Sequence, residues 1–210
     1  NNLDEYSKLL KEAEVGFSTW EMPEFTEEQI QKYMPNLKAV FYAAGSVQKF
    51  ARPFLNNGIK VISAWAANAV PVAEFAFAQI VLANKGFFQG AAKTKWEYSE
   101  GNKFVQSFPG NYNISVGILG AGMIGTMVIE RLKTCNNIDI MVFDPFLSDE
   151  RAEKLGVSRC SLEEVFENCQ TISNHIANNP QTVGMLNYSL FKRMKKNATF
   201  INTGRGAQVV

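Results

Sequence analysis

The residues that can do chemistry here are three glycines, an aspartate, an arginine and a histidine. Gly120, Gly122 and Gly125 are spaced G-x-G-x-x-G in "VGILGAGMIG" (116–125). The first makes a tight turn off a strand, the second lets a pyrophosphate approach the backbone, and the third lets a helix pack closely on the sheet. The helix N-terminus that follows offers free N–H groups and its positive dipole end to phosphate. Asp144 stands 19 residues past Gly125, at the end of the next apolar run. An acid there accepts hydrogen bonds from the adenosine ribose hydroxyls and repels a 2′-phosphate. Pro145 and Phe146 follow it, with no arginine, so the pattern predicts NAD over NADP. The competing reading is a glycine-rich structural turn beside a surface aspartate. Arg205 sits between Gly204 and Gly206 in "INTGRGAQVV" (201–210); it either decorates a terminus or belongs to a site, where its planar fork suits a carboxylate. His175 is the one histidine in the sequence.

These residues need strands and helices to place them. Ser115–Leu119, Ile138–Phe143, Thr171–Ile176 and Ala198–Asn202 read as buried strands, with a shorter one near Val157. Between them fall an apolar-periodic helix after Gly122 (Ile124, Val128, Ile129, Leu132), a helix over Asp149–Leu155, one near Tyr188–Met194, and one capped by Ser161 with Glu164 and running through Asn168. Strand–helix alternation of this kind gives a parallel sheet covered on both faces. The first hundred residues are a less regular α/β pattern. Helical spacing covers 3–17, Thr26 with Gln29 forms a capping box for a helix through Tyr33, and 37–45 and 58–65 read as strands. After Pro71 the chain is apolar on nearly every helical face, which predicts burial in a core or a subunit interface. The Gly/Asn/Ser-rich stretch 99–113 reads as the boundary, giving a first domain over 1–100 and a second over 101–210.

With 210 residues, 46% apolar and 20% charged, the composition supports one large domain or two small ones. The net charge of +1 argues against a nucleic-acid surface. "KRMKK" (192–196) fits a helix end, where cations meet the negative dipole, with an anion site as the other reading. Cys135, Cys160 and Cys169 match no zinc spacing, so no metal site is expected, and free buried thiols in a reducing cytoplasm are. No uninterrupted apolar stretch reaches the roughly 20 residues that span a bilayer; the nearest, 69–83, carries Glu74 and Gln79, so no membrane partner is expected.

In order and motif, 37–210 resembles the D-isomer-specific 2-hydroxyacid dehydrogenases. "NLKAVFYAAGS" (36–46), "GIKVISAWAANAVPVAEFAFAQIVLANK" (58–85), "SVGILGAGMIG" (115–125), "VFDPF" (142–146) and "HIANNPQTVGMLNYSLFKRMKKNATFINTGRG" (175–206) carry the resemblance. It implies a Rossmann-type doubly wound parallel sheet plus a smaller flavodoxin-like α/β substrate domain, both incomplete in this chain, with the active site in the cleft between them. It implies an NAD-dependent oxidoreductase interconverting a small D-2-hydroxy acid and its 2-oxo acid. Arg205 falls on the catalytic arginine, and N–H groups of Gly45, Ser46 and Val47 on the substrate-carboxylate loop. On the cofactor side, Met123 and Ile124 lie under the pyrophosphate, Ala177 and Thr203 line the NAD groove, and His175 stands at its edge. The helical region 71–95 is implied as a homodimer contact.

The chain departs from the family pattern at Ala177, usually proline, at Ala76, often threonine, and in a shorter loop after Gly45. The family's proton donor is a histidine steadied by a glutamate, both downstream of the Arg-Gly turn. His175 aligns instead with a different family histidine, so the chain is expected to be a piece of a longer one, truncated before the acid–base pair, the remaining strands and a returning C-terminal helix. Two other functions share the fold: an NAD-sensing binding protein or co-repressor without significant turnover, and a hydrolase using bound NAD, which the "NTGRG" ending disfavours.

Overall fold

The computed structural model describes residues 3–210. Contacts divide the chain between Ala69 and Val70. The division lies inside a helix rather than in the glycine-rich stretch near residue 100.

The first unit runs α1 (Ser7–Glu12), β1 (Val15–Ser18), α2 (Glu27–Tyr33), β2 (Ala39–Tyr42), α3 (Ala51–Asn56) and β3 (Lys60–Ser63). Its strands form one parallel sheet in the order β1-β2-β3. The Thr26–Gln29 capping box forms at the start of α2 as the sequence predicts. The single helix expected over 3–17 does not: α1 stops at Glu12 and 15–18 is β1. Val15 and Phe17, which supply part of the apolar signal there, alternate with Gly16 and Ser18 as strand residues do. Ile30, Tyr33, Phe50 and Phe54 cluster with Val40 and Tyr42 on one face of the sheet. On the other face Phe17 stacks on Phe41 with ring centroids 5.4 Å apart, and Phe17 is 82% exposed. Within this unit the sheet is therefore covered on one face only.

The long helix α4 (Trp65–Asn84) carries the unit boundary and is followed by α5 (Phe87–Thr94) and α6 (Tyr98–Val105). At 20 residues and a mean hydropathy of 1.5, α4 is long and apolar enough to cross a bilayer, a test the uninterrupted run 69–83 fails; the helix starts earlier and continues through Pro71. Within one copy it is buried along one stripe. Ala73, Ala76, Ile80 and Ala83 form a fully or nearly buried stripe at helical spacing, while Val70 and Phe75 are exposed. The stretch read as a boundary contains α6, packed against α5 through glycines. A Cβ on Gly90 would lie 2.2 Å from Val105 Cγ2, and one on Gly101 2.8 Å from Thr94 Cα.

The rest of the second unit is β4 (Ile114–Leu119), α7 (Met123–Leu132), β5 (Ile138–Phe143), α8 (Asp149–Leu155), β6 (Ser158–Arg159), α9 (Leu162–Asn168), β7 (Thr171–Asn174), α10 (Tyr188–Phe191), β8 (Thr199–Asn202) and a 3-10 turn over Gly206–Gln208. These elements sit within a residue or two of their predicted positions, apart from shorter ends on β7 and α10. The five strands are parallel, in the order β6-β5-β4-β7-β8. Val116, Ile118, Val128, Ile129, Leu132 and Val142 form the core between β4, β5 and α7. Val165, Phe166, Cys169, Ile172 and Leu190 form a second core around α9 and β7. Strand order reverses between β4 and β7. Open α/β sheets bind ligands at such a switch point, beyond the C-terminal strand ends.

Candidate functional site

Sheet register builds the site. Leu119 pairs with both Phe143 and Asn174, and Asn174 pairs with Asn202. The next residue on each strand is therefore Gly120, Asp144, His175 and Thr203, side by side along the C-terminal edge. Four residues chosen from separate sequence motifs come from one row of the sheet.

Gly120 has φ +89, a left-handed conformation that favours glycine. A Cβ there would also meet His175 O at 3.0 Å. Gly125 touches the same turn from the helix side, where a Cβ would lie 1.9 Å from Gly120 O. Gly122 differs: beyond its own chain neighbours, nothing lies within 4 Å of where its Cβ would be. Its bareness serves no internal packing and leaves room over the loop, as a dinucleotide pyrophosphate requires. Thr126 N–H is bonded to Gly122 O at 2.9 Å. The N–H groups of Met123, Ile124 and Gly125 precede it and have no intrahelical acceptor, so they are available to phosphate.

Asp144 is tied to this loop. Its Oδ2 accepts from Ala121 N–H at 2.7 Å and its Oδ1 from Phe146 N–H at 2.8 Å. Each carboxylate oxygen keeps a second lone pair for a ribose hydroxyl. The carbonyl of the same Ala121 is held from the other side, by Arg151 Nη2 at 2.6 Å and Thr126 Oγ1 at 3.1 Å. Arg151 also donates to Thr126 Oγ1 at 3.1 Å. Sequence reasoning missed both residues. Arg151 is 30 positions from the carbonyl it holds, and only its place in the first turn of α8, next to the acid strand, could have drawn attention to it.

Across the switch point, burial pushes the His175 pKa down to about 4, so the ring is neutral at physiological pH. Its Nε2 is 3.0 Å from Ser173 Oγ and its Nδ1 2.9 Å from Thr203 Oγ1. With both nitrogens engaged and no charge at pH 7, the ring is a structural partner of Thr203 and is poorly suited to proton transfer. Asn174 and Gln208, both fully buried, stitch the adjoining turns together. Asn174 Nδ2 donates to Gln208 Oε1 at 2.8 Å and to Asn202 Oδ1 at 3.0 Å. Gln208 Nε2 donates to Ile176 O at 3.0 Å and Ala177 O at 3.2 Å, and its Oε1 accepts from Arg205 N–H at 3.2 Å. This network fixes the Arg205 backbone while its side chain stays exposed. Among the described residues, the guanidinium's protein bond is Nη1 to Gly204 O at 2.9 Å, and its other donors are available. Ala177 is exposed on the loop after β7. Beside it, Asn178 Oδ1 is buried without a protein partner, a polar atom that a ligand hydroxyl or amide could satisfy.

Gly45, Ser46 and Val47 belong to the first unit, on the loop between β2 and α3. Ser63 Oγ reaches Gly45 O at 2.5 Å and Ala44 O at 3.0 Å. Val47 O accepts from Ala51 N–H at 3.0 Å to start α3. Among the described residues the N–H groups of Gly45, Ser46 and Val47 donate to no protein acceptor, which leaves them open to an anion. No group of three or more His, Cys, Asp or Glu residues is arranged for a metal ion among the described residues.

Comparison with known proteins gives the family. The family described as "D-isomer specific 2-hydroxyacid dehydrogenase, NAD binding domain" matches residues 78–210. The chain is 32% identical over 182 residues to D-3-phosphoglycerate dehydrogenase of Bacillus subtilis, covering 86% of this chain and 34% of that protein. It is 30% identical over 213 residues to formate dehydrogenase of Neurospora crassa, covering 98% of this chain and 56% of that protein. The chain thus spans between a third and little over half the length of these two curated relatives. The crystal structure of an NAD-dependent formate dehydrogenase from Staphylococcus aureus in complex with NAD superposes with a TM-score of 0.74 at 26% identity, over 99% of this chain and 62% of that one. The switch-point crevice, the open space over Gly122 and the paired lone pairs of Asp144 suit the cofactor that the family binds, which is NAD. By the match over 78–210, the chain belongs to the D-isomer specific 2-hydroxyacid dehydrogenase family.

Proposed function

We propose that the whole protein is an NAD-dependent oxidoreductase that interconverts a small D-2-hydroxy acid and its 2-oxo acid. The observation that carries this reading is Arg205. A buried network holds its backbone beside the cofactor row, and its guanidinium is left with donors to spare. NAD, when bound, supplies the hydride acceptor or donor. Arg205 then grips the substrate carboxylate and stabilises the negative charge that develops on the carbonyl oxygen. On the first unit, the free N–H groups of Gly45, Ser46 and Val47 are proposed as donors to a substrate carboxylate. The proton donor is the histidine–glutamate pair that the family resemblance places past Arg205, outside residues 1–210, and not His175.

The test is NADH oxidation by the full-length protein against a panel of 2-oxo acids, with Arg205→Ala as control. Turnover of at least one acid is expected. The substitution should cost more than about 2 kcal/mol of transition-state stabilisation, or about 30-fold in kcat/KM. Formate with NAD is included because one relative is a formate dehydrogenase; turnover confined to formate would overturn the 2-hydroxy acid reading. Tight NADH binding with no turnover of anything on the panel would favour the second reading, an NAD sensor or co-repressor on this fold.

The homodimer we propose through 71–95 rests on apolar surface. Phe75 on α4 is 58% exposed, Phe87 on α5 is 50% exposed, and an open apolar groove of about 660 Å³ is lined by Leu82, Phe87, Gly90, Ala91 and Val105 among others. Exposed apolar surface of this kind commonly marks an interaction site. We place the protein in the cytoplasm, on the strength of three unpaired cysteines, with no nucleic-acid or membrane partner.

A further inference from the structure

His175 and three neighbours, Ser173, Asn174 and Thr203, form a chain of hydrogen bonds whose direction can be worked out. Thr203 Oγ1 lies 3.1 Å from Asn174 O and 2.9 Å from His175 Nδ1. A carbonyl only accepts, and a hydroxyl has one proton. Thr203 therefore donates to Asn174 O and presents a lone pair to Nδ1, which must carry a hydrogen. The neutral ring then has a bare Nε2, which accepts from the Ser173 hydroxyl at 3.0 Å. All three contacts are satisfied in this arrangement. The opposite neutral tautomer satisfies two and leaves two oxygens 3.1 Å apart with no proton between them. The imidazolium would also satisfy three, but burial disfavours the charge.

We propose that His175 is a positioning residue: as the neutral Nδ1–H tautomer it donates to Thr203 Oγ1 and so fixes the threonine side chain at the wall of the cofactor groove. The proposal rests on the reading of that groove as the NAD site. With Oγ1 held from two sides, Thr203 is confined to one χ1 well. The same residue also supports the phosphate loop, since the His175 carbonyl packs against Gly120 where a Cβ would lie 3.0 Å away. His175 thus joins the two sides of the switch point, its backbone against one and its ring against the other. This accounts for a half-buried histidine beside the cofactor groove without giving it a proton to transfer.

In ¹⁵N-histidine spectra of the full-length protein, the His175 ring nitrogens are identified as the signals lost in the His175→Gln variant, which separates them from the histidine proposed past Arg205. At pH 7 they should show a protonated Nδ1 and an unprotonated Nε2. The functional arm measures Kd for NADH in His175→Gln and His175→Asn. The glutamine reaches the Nε2 position and leaves Thr203 without its donor; the asparagine amide reaches the Nδ1 position. Glutamine should weaken NADH binding about 5- to 20-fold, asparagine should recover most of that loss, and adding Thr203→Val to the glutamine variant should weaken binding no further. An Nε2–H tautomer overturns the proposal. So does a glutamine variant that binds like the parent, or two variants weakened equally in step with lost thermal stability. A parent protein with no NADH affinity sinks the cofactor reading instead, and the tautomer then reports on the hydrogen-bond chain alone.

Discussion

Gly122 and Gly125 stand three residues apart in one motif, yet the structure predicts opposite behaviour when each becomes alanine. A Cβ on Gly125 would sit 1.9 Å from Gly120 O and 3.0 Å from Gly120 C. That is roughly 1.5 Å short of ordinary van der Waals contact, and the obstacle is backbone, which cannot rotate aside. Overpacking of this kind costs about 1–3 kcal/mol, or roughly 2–12 °C in Tm for a chain of this size. Cofactor affinity is lost with it, because α7 must move away from the loop. At Gly122 the φ is −68 and ψ −161, which alanine adopts, and beyond its own chain neighbours nothing lies within 4 Å of the new methyl. Its folding cost should be near zero, but the methyl occupies the space assigned to pyrophosphate. Losing one charge-assisted N–H bond costs about 1.5–3 kcal/mol, so Kd for NADH should rise about 10- to 150-fold. Thermal unfolding and NADH titration of both variants make the assay. A Gly122→Ala protein that binds NADH like the parent, or that loses stability alongside Gly125→Ala, would refute the division of labour between the two glycines.

Three other outcomes follow from the same geometry. Asp144→Ala should weaken NADH and shift the NADH-to-NADPH affinity ratio toward NADPH; an unchanged ratio removes the aspartate's role in discrimination. His175 links stability to pH. Its folded pKa of about 4 lies below the ordinary 6.5, so the stability of the neutral, half-buried ring is complete above about pH 6.5 and is lost as pH falls toward 4, by at most about 3 kcal/mol. Urea midpoints between pH 7.5 and 4.5 should therefore fall less steeply for His175→Asn than for the parent, and equal slopes would contradict the burial. Phe75→Asp should shift the sedimentation of the full-length protein from dimer to monomer with little change in Tm, since that side chain is already exposed within one copy; a parent that sediments as a monomer would discard the interface.

The cofactor side was legible because its signals are local. Glycines at fixed spacing, an acid ending the next strand, and the Ser161–Glu164 capping box each lie within one element and its neighbour. What stayed hidden depends on distant partners. β1 reads as helix because Leu3, Tyr6, Leu9 and Leu10 dominate the spacing, and only pairing with β2 makes 15–18 extended. α6 reads as a linker because glycine and asparagine discourage helices, whereas Gly101 is there to let α5 approach. Asn174 and Gln208 look like ordinary polar residues 34 positions apart; buried and bonded to each other, they hold the turn that carries Arg205. Arg151 gave no motif at all.

Hydride transfer itself offers the most direct measurement. The full-length protein would be given a turned-over 2-oxo acid and NADH carrying deuterium at both C4 positions, and the product analysed by chiral chromatography with mass spectrometry. One deuterium at C2 of the D-2-hydroxy acid is the predicted result. An L product, or a product without deuterium at C2, would contradict assignment of the Arg205 site to D-specific hydride transfer.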